Sequence, residues 1–248
     1  MLVKSQVKYI QSLGHKKFRD AEGVFVAEGP KIVLEFLQSG LLRLVQCFAT
    51  PDWLISHAEI NEVRKQLFNE ISEKELGRIS FHSSPNQVLA VFDKPVFNKP
   101  VKPNSLTLLL DTIQDPGNLG TILRTADWFG VTRIVCSEDT ADVYSPKVVQ
   151  SAMGSLVRVE MIYTDLKEYI NSNPGIPVYA ASLDGDIIDE KIKLTHIMLL
   201  VGNESKGISP ALESLATKCL RIPGNGGAES LNVAVATGIL LSRIELIN

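Results

Sequence analysis

The segment Arg-Ile-Pro-Gly-Asn-Gly-Gly-Ala-Glu-Ser-Leu-Asn (RIPGNGGAESLN, 221–232) runs directly into VAVATGILLSRIELI (233–247). A short apolar strand, CLRIP, stops at Pro223. Four residues of Gly-Asn-Gly-Gly follow, and then a long apolar helix is expected over 230–246. Glycine loses more backbone freedom on folding than any other residue, so such a run costs stability. That cost makes sense if the backbone must thread a tight path here or lie against a ligand. Ser230 suits the helix N-cap. Asn232 falls in the first turn, where its amide competes for backbone bonds instead of building helix.

The chain upstream of this loop alternates. SLTLLLD (105–111), RIVCSE, VRVEMIY, VYAASL and HIMLLVGNE (196–204) read as strands. NLGTILRTADWFG (118–130), SPKVVQSAMGSL (145–156), DLKEYINSN and SPALESLA read as helices. Near-continuous apolar strands separated by helices predict a parallel sheet covered on both faces. The stretch FDKPVFNKPVKPNS (92–105) carries prolines at 95, 100 and 103. Proline cannot donate to a ladder and biases its predecessor toward extended backbone. It therefore marks a linker, placed at 99–105, between a first domain at 1–98 and a second at 106–248. The first domain mixes helices (KSQVKYIQSLG, PKIVLEFLQSG, NEVRKQLFNE) with strands (GVFVAEG, LRLVQCFAT, QVLAVFD), which predicts a small α/β layer.

Bulk properties bound the reading. The 248 residues suffice for two domains, and 45% hydrophobic with 21% charged content is ordinary for a globular protein. No apolar run is long enough to span a bilayer, and the N-terminus lacks an apolar core with a cleavage site. Cys47, Cys136 and Cys219 are far apart, sit in strand patterns and have no metal-ligand spacing. A reduced, cytoplasmic setting and no metal site are expected. The net charge of −3 does not advertise nucleic-acid binding, but Lys4, Lys8, Lys16, Lys17 and Arg19 all precede the first acid, Asp20. Such an arm is either a solvated helix face or the footprint of a phosphate backbone.

In open α/β sheets, ligands bind beyond the carboxyl ends of the strands, so three loops matter. The first, DTIQDPGNLGTILRTADWFG (111–130), has Asp115-Pro116-Gly117 as a turn, Asn118 as a helix cap and Arg124 six residues on, nearly two turns away, with the two expected to project at related angles from one helix. The second, LLVGNESKGIS (199–209), runs from a buried strand into Gly202, Asn203 and Glu204. It has neither the P-loop lysine nor a G-x-G-x-x-G opening a helix after the first strand. The third is the glycine-rich segment itself.

N-x-G-x-x-x-R-T-A at 118–126, V-G-N-E at 201–204 and I-P…G…E-S-L-N at 222–232 resemble, in that order, the three motifs of the SpoU (TrmH) family of RNA ribose methyltransferases. VKYIQSLGHKKFRDAEGVFVAEGPKIVLEFL in the first domain is similar to the substrate-binding module of members that act on ribosomal RNA. The resemblance implies an α/β fold of the SPOUT type. A small α/β RNA-binding domain would precede a parallel sheet with a C-terminal deep trefoil knot. It also implies S-adenosylmethionine bound in a bent form within the knot, a homodimer, and RNA as substrate. By motif position, Gly202, Ile222 and Leu231 would line the cofactor pocket. Arg124, Asn118, Glu204, Ser230 and Asn232 would be the catalytic polar positions. Arg124 is the family's candidate for removing the hydroxyl proton; a second role is to bind the phosphate beside the target ribose. The arm residues Lys4, Lys8, Lys16, Lys17 and Arg19 would contact RNA phosphates.

Large-subunit (23S) ribosomal RNA is the first expected substrate and transfer RNA the second. A catalytically silent RNA-binding protein of this fold is the rival from another class, and intact Asn118, Arg124, Glu204 and Asn232 argue against it. A nicotinamide dehydrogenase is disfavoured by the missing glycine fingerprint.

Overall fold

The computed structural model describes residues 2–63, 65–97, 105–188 and 192–246. The expected linker at 99–105 lies outside them except for Ser105. The chain divides into two compact units. One is Met1–Val96 with Tyr144–Val157; the other is Phe97–Val143 with Arg158–Asn248.

The first unit begins with α1 (Lys4–Ser12), α2 (Lys16–Glu22), β1 (Val24–Glu28) and α3 (Pro30–Gln38). It continues with β2 (Leu44–Ala49), α4 (Pro51–Ser56), α5 (Ala58–Val63), β3 (Phe68–Glu70), α6 (Glu73–Leu76) and β4 (Val88–Asp93). Its sheet runs β1-β4-β2-β3, with β4 antiparallel to β1 and β2, and β3 parallel to β2. Leu2, Ile10, Leu13, Val26, Phe48, Ile79 and Leu89 belong to one continuous core cluster. The helix expected over 61–70 is corrected: α5 stops at Val63, and Phe68–Glu70 forms an edge strand beside Cys47–Ala49. Asn69 fastens that edge by donating from Nδ2 to the Cys47 carbonyl at 3.1 Å. Three residues of strand carry too little periodicity to be told from a helix end, so pairing decides.

The second unit holds β5 (Leu106–Leu110), α7 (Pro116–Trp128) and β6 (Arg133–Cys136). The next helix, α8 (Pro146–Ala152), groups with the first unit together with the 3₁₀ turn Met153–Val157. There the Tyr144 and Phe25 rings lie 5.3 Å apart. A side chain at Gly154 would start 1.8 Å from the Glu35 carboxylate. The chain returns to the second unit with β7 (Glu160–Tyr163), α9 (Leu166–Asn171), β8 (Val178–Ile187), β9 (Ile192–Leu194) and β10 (Ile197–Val201). It ends with α10 (Pro210–Glu213), β11 (Lys218–Arg221), α11 (Val233–Arg243) and β12 (Ile244–Leu246).

The main sheet has the order β11-β8-β10-β5-β6-β7 and all its pairings are parallel. β5 and β10 are adjacent and buried along their whole length, as apolar runs in a two-face-covered sheet must be. From β5 the chain goes outward to β6 and β7, then crosses to β8 and β10 on the other side. β5 and β10 thus flank the point where strand order reverses, the place where such sheets open a crevice. The last helix, expected over 230–246, is corrected at its end: it stops at Arg243, and Ile244–Leu246 instead pairs as a short strand with Ile192–Leu194.

Cys47 and Cys136 are buried strand residues, and burial pushes both thiols up, so neither ionises. Cys219 lies in β11 but is only partly buried. Among the described residues no group of His, Cys, Asp or Glu has the arrangement of a metal site.

Candidate active site

Three loops meet at the carboxyl ends of β5 and β10. The loop after β5 reaches α7, whose N-cap is Asp115: its carboxylate accepts from the Asn118 amide at 2.8 Å. This corrects the expectation that Asn118 caps the helix, and it frees the Asn118 side chain. That side chain donates from Nδ2 to Glu204 Oε1 at 2.9 Å, and its Oδ1 accepts from Asn232 Nδ2 at 3.0 Å. Asn232 Oδ1 in turn accepts from the backbone of Ala234 at 2.9 Å and of Val235 at 3.4 Å. Asn232, not Ser230, is therefore the N-cap of α11, which starts at Val233. The polarity of this chain is forced. Glu204 Oε1 accepts here, so Asn118 turns its amide nitrogen to Glu204 and its oxygen to Asn232. Asn232 must then turn its own oxygen to the helix, where the first backbone N–H groups lack partners. Residues 118, 204 and 232 are thereby clipped together across the sequence.

The loop that carries Glu204 is braced from below. Asn203 donates to the Thr112 carbonyl at 2.8 Å and accepts from Ser205 and Lys206 amides at 2.9 and 3.1 Å. It also exchanges two backbone bonds with Gly207. Buried Asp111 accepts from the Ser209 amide at 2.8 Å. Gly202 is buried, and a Cβ there would sit 2.3 Å from the Gly207 carbonyl carbon. Its glycine is demanded by the loop's own closure.

The residues just before Asn232 line a pocket of about 690 Å³, within the usual range for small-ligand sites. The loop 220–231 forms one wall, with Ile222, Gly224, Gly226, Ser230 and Leu231 among its lining, and Leu183 and Ile187 of β8 belong to the other. The β8 wall comes from a register jump. Cys219 pairs with Ala180 but Leu220 pairs with Asp186, so β8 bulges over residues 181–185 between the two pairings. Gly185 permits it, since a Cβ there would lie 2.5 Å from the Cys219 carbonyl carbon. The glycines of the opening segment behave differently. Gly224, Gly226 and Gly227 have no left-handed backbone, and a Cβ at any of them would meet nothing within 4 Å. Neither strain nor crowding requires them; what they leave is room.

The residues expected from sequence thus separate. Asn118, Glu204 and Asn232 form the clip, while Ile222, Leu231 and Ser230 line the pocket. Gly202 is not among the pocket's lining residues. Arg124 is exposed on α7 and makes no hydrogen bond or ion pair among the described residues. Six residues at about 100° each turn it roughly 120° around the helix from Asn118, so the two do not share a face. In the arm, Lys4, Lys8, Lys16 and Lys17 are exposed. Arg19 is not: it is 2% exposed and donates from Nη1 to the Leu13 carbonyl at 2.6 Å. It is a structural residue that closes the turn between α1 and α2. Sequence reasoning missed Leu183, Ile187 and Glu229 as pocket residues; the turn dipeptide Asp184-Gly185 was the available pointer to the bulge.

Residues 105–242 match the SpoU rRNA Methylase family, and residues 4–90 match the MRM3-like substrate binding domain. The 23S rRNA (guanosine(2553)-2′-O)-methyltransferase RlmP of Bacillus subtilis (strain 168) is 32% identical over 243 residues, covering 95% of this chain and 94% of that protein. Among solved structures, an AdoMet-bound rRNA methyltransferase from Sinorhizobium meliloti superposes with a TM-score of 0.86 at 32% identity, covering 98% of this chain and 95% of that one. A TrmH-family protein from Porphyromonas gingivalis gives 0.85 at 41% identity, covering 98% of both chains. The chain belongs to the SpoU rRNA methylase family.

Proposed function

We propose that this chain transfers a methyl group from S-adenosylmethionine to a ribose 2′-hydroxyl of 23S ribosomal RNA. The observation that carries the reading is the Asn118–Glu204–Asn232 clip, set in sequence next to a glycine-walled pocket. A relative that spans nearly the whole chain is a 23S rRNA 2′-O-methyltransferase, and a structural neighbour holds AdoMet.

The pocket's chemistry suits that cofactor. Leu183, Leu220 and Leu240 offer apolar surface for a flat base, and the backbone of 221–226 offers hydrogen-bonding edges. Glu229 supplies a carboxylate for a cationic ligand, and the empty Cβ directions of Gly224 and Gly226 leave space for close approach. Ile222, Leu231, Gly224 and Gly226 would hold it. S-adenosylmethionine, when bound, supplies a methyl carbon made electrophilic by a sulfonium. This chain's residues must place a ribose oxygen in line with that carbon and manage the hydroxyl proton. Positioning of this kind supplies a large part of the acceleration in displacement chemistry. A guanidinium is a poor proton acceptor and a planar double donor, so the role of Arg124 here is a bidentate hold on the phosphate beside the target ribose. The clip fixes the relative place of α7, the Glu204 loop and the start of α11, with Ser230 at the pocket edge beside the ribose. Isothermal titration with S-adenosylmethionine, paired with methyl transfer to 23S rRNA from cells lacking the protein, tests the assignment. Cofactor binding without transfer would instead leave a silent RNA-binding member of the family.

In this reading the first unit carries the RNA, and Lys4, Lys8, Lys16 and Lys17 neutralise phosphates. Charge reversal of both Lys16 and Lys17 is expected to weaken RNA binding and to flatten its salt dependence, with the slope of log K against log salt falling by about two. A slope equal to that of the unaltered protein would retire the arm as an RNA contact.

The C-terminal segment forms a deep trefoil knot, supported by α11 packing on α7 and by β12 pairing with β9 after the pocket loop. The chain works as a homodimer; Trp128, 85% exposed, and Val235, 52% exposed, offer apolar surface on α7 and α11. Light scattering of the purified protein should give twice the chain mass. The protein acts in the cytoplasm, where ribosomal RNA is modified; among the described residues no helix is long and apolar enough to cross a membrane.

A further inference from the structure

The helix α2, KKFRDAE, is buried the wrong way round. Burial of apolar surface should turn Phe18 inward and Arg19 outward. Instead Arg19 is the helix's buried residue, and Phe18 stands 39% exposed, with Lys16, Lys17, Asp20, Ala21 and Glu22 also at the surface. The Arg19 bond to the Leu13 carbonyl holds this inverted orientation, because it consumes the inward position. The His15 ring meets Phe18 edge-on with centroids 6.4 Å apart, and Lys17 Nζ stands 5.0 Å from the centre of the Phe18 ring. Neighbouring structure supports the turn. Gly14 packs against Phe81, where a Cβ would fall 2.8 Å from Cε1, and Gln11 donates to the Arg78 carbonyl at 3.0 Å, laying exposed Arg78 beside α1.

An exposed aromatic ring, flanked by an imidazole and by cations, is the surface that unpaired nucleotides select. The ring face that Lys17 does not cover stacks on a base while the cations hold the phosphates on either side. A base inside an A-form duplex has no free face to offer, so the partner is a single strand, loop or bulge. From this we infer that Phe18 and His15 form a stacking platform for an unpaired base of the RNA, with Lys16, Lys17 and Arg78 as its phosphate contacts. The inference rests on the RNA reading above and narrows it: the first unit recognises unpaired nucleotides through an aromatic contact, in addition to charge.

The test uses the full chain, a short fluorescent single-stranded RNA of mixed sequence, and a hairpin duplex of equal phosphate count. Phe18→Ala should weaken single-strand binding about tenfold or more, the range seen when one stacking ring is lost, with the salt slope unchanged. Phe18→Trp should restore it, and duplex affinity should stay within about twofold in both variants. Single-strand binding unaffected by Phe18→Ala, or an equal loss on the duplex, overturns the stacking platform while leaving RNA binding intact. If the unaltered protein binds neither RNA, the RNA reading itself fails and the platform falls with it. A thermal melt of Phe18→Ala identical to that of the unaltered chain separates lost stacking from lost folding.

Discussion

Replacing Arg124 by alanine should reduce methyl transfer to 23S rRNA by about 10²-fold or more while leaving S-adenosylmethionine affinity unchanged. The structural ground is that Arg124 is exposed, makes no hydrogen bond or ion pair among the described residues and is absent from the pocket lining. Its removal therefore costs neither folding contacts nor cofactor contacts, and the loss must arise with RNA bound. Arg124→Lys keeps the charge but loses the planar fork, so it should recover only part of the rate. Single-turnover kinetics with saturating cofactor measure the effect. A variant that methylates at the normal rate would remove Arg124 from the site. A variant that also loses the cofactor would place the arginine in the pocket and not on the RNA.

The second large effect concerns the glycines. Gly226 is outside the left-handed region and has empty space where a side chain would start, so Gly226→Val should fold as well as the unaltered chain. Where the backbone tolerates the change, replacing glycine stabilises by about 0.4–1 kcal/mol through the unfolded state. The same side chain would intrude on the pocket wall. Cofactor affinity should fall at least tenfold, about 1.4 kcal/mol. Excess S-adenosylmethionine, which should raise the melting temperature of the unaltered protein by mass action, should barely move that of the variant. Calorimetry and a thermal melt read both halves. A destabilised apoprotein would mean that the glycine serves the path of the chain; full affinity would mean that the pocket lies elsewhere.

Much of this architecture was legible before any coordinates. The apolar runs at 106–110 and 197–201 become the two fully buried central strands, because only a two-face-covered sheet accepts such runs. The three polar loops that the motifs singled out do converge, at Asn118, Glu204 and Asn232. What failed was the choice between neighbours. Asp115 and Asn118 both suit an N-cap, as do Ser230 and Asn232, and local chemistry ranks them nearly equal. The helix takes the residue whose position fits, and in α7 this releases Asn118 for a bond 86 residues away in sequence. Arg19 failed for a similar reason. Its charge argued for the surface, yet the carbonyl of Leu13 needed a donor inside the turn. The bulge of β8 and the grouping of Tyr144–Val157 with the first unit depend on long-range packing, to which hydrophobic period is blind.

Ribose methylation of 23S rRNA from a sulfonium donor is open to direct test through the chemistry of the 2′-hydroxyl. The purified protein is incubated with methyl-labelled S-adenosylmethionine and 23S rRNA from cells lacking it, and the RNA is then hydrolysed in alkali. Alkaline cleavage needs a free 2′-hydroxyl, so a ribose-methylated position survives as a labelled dinucleotide. Label in one alkali-resistant dinucleotide is the expected result; label in mononucleotides, marking a base, or no label with cofactor bound, would contradict it.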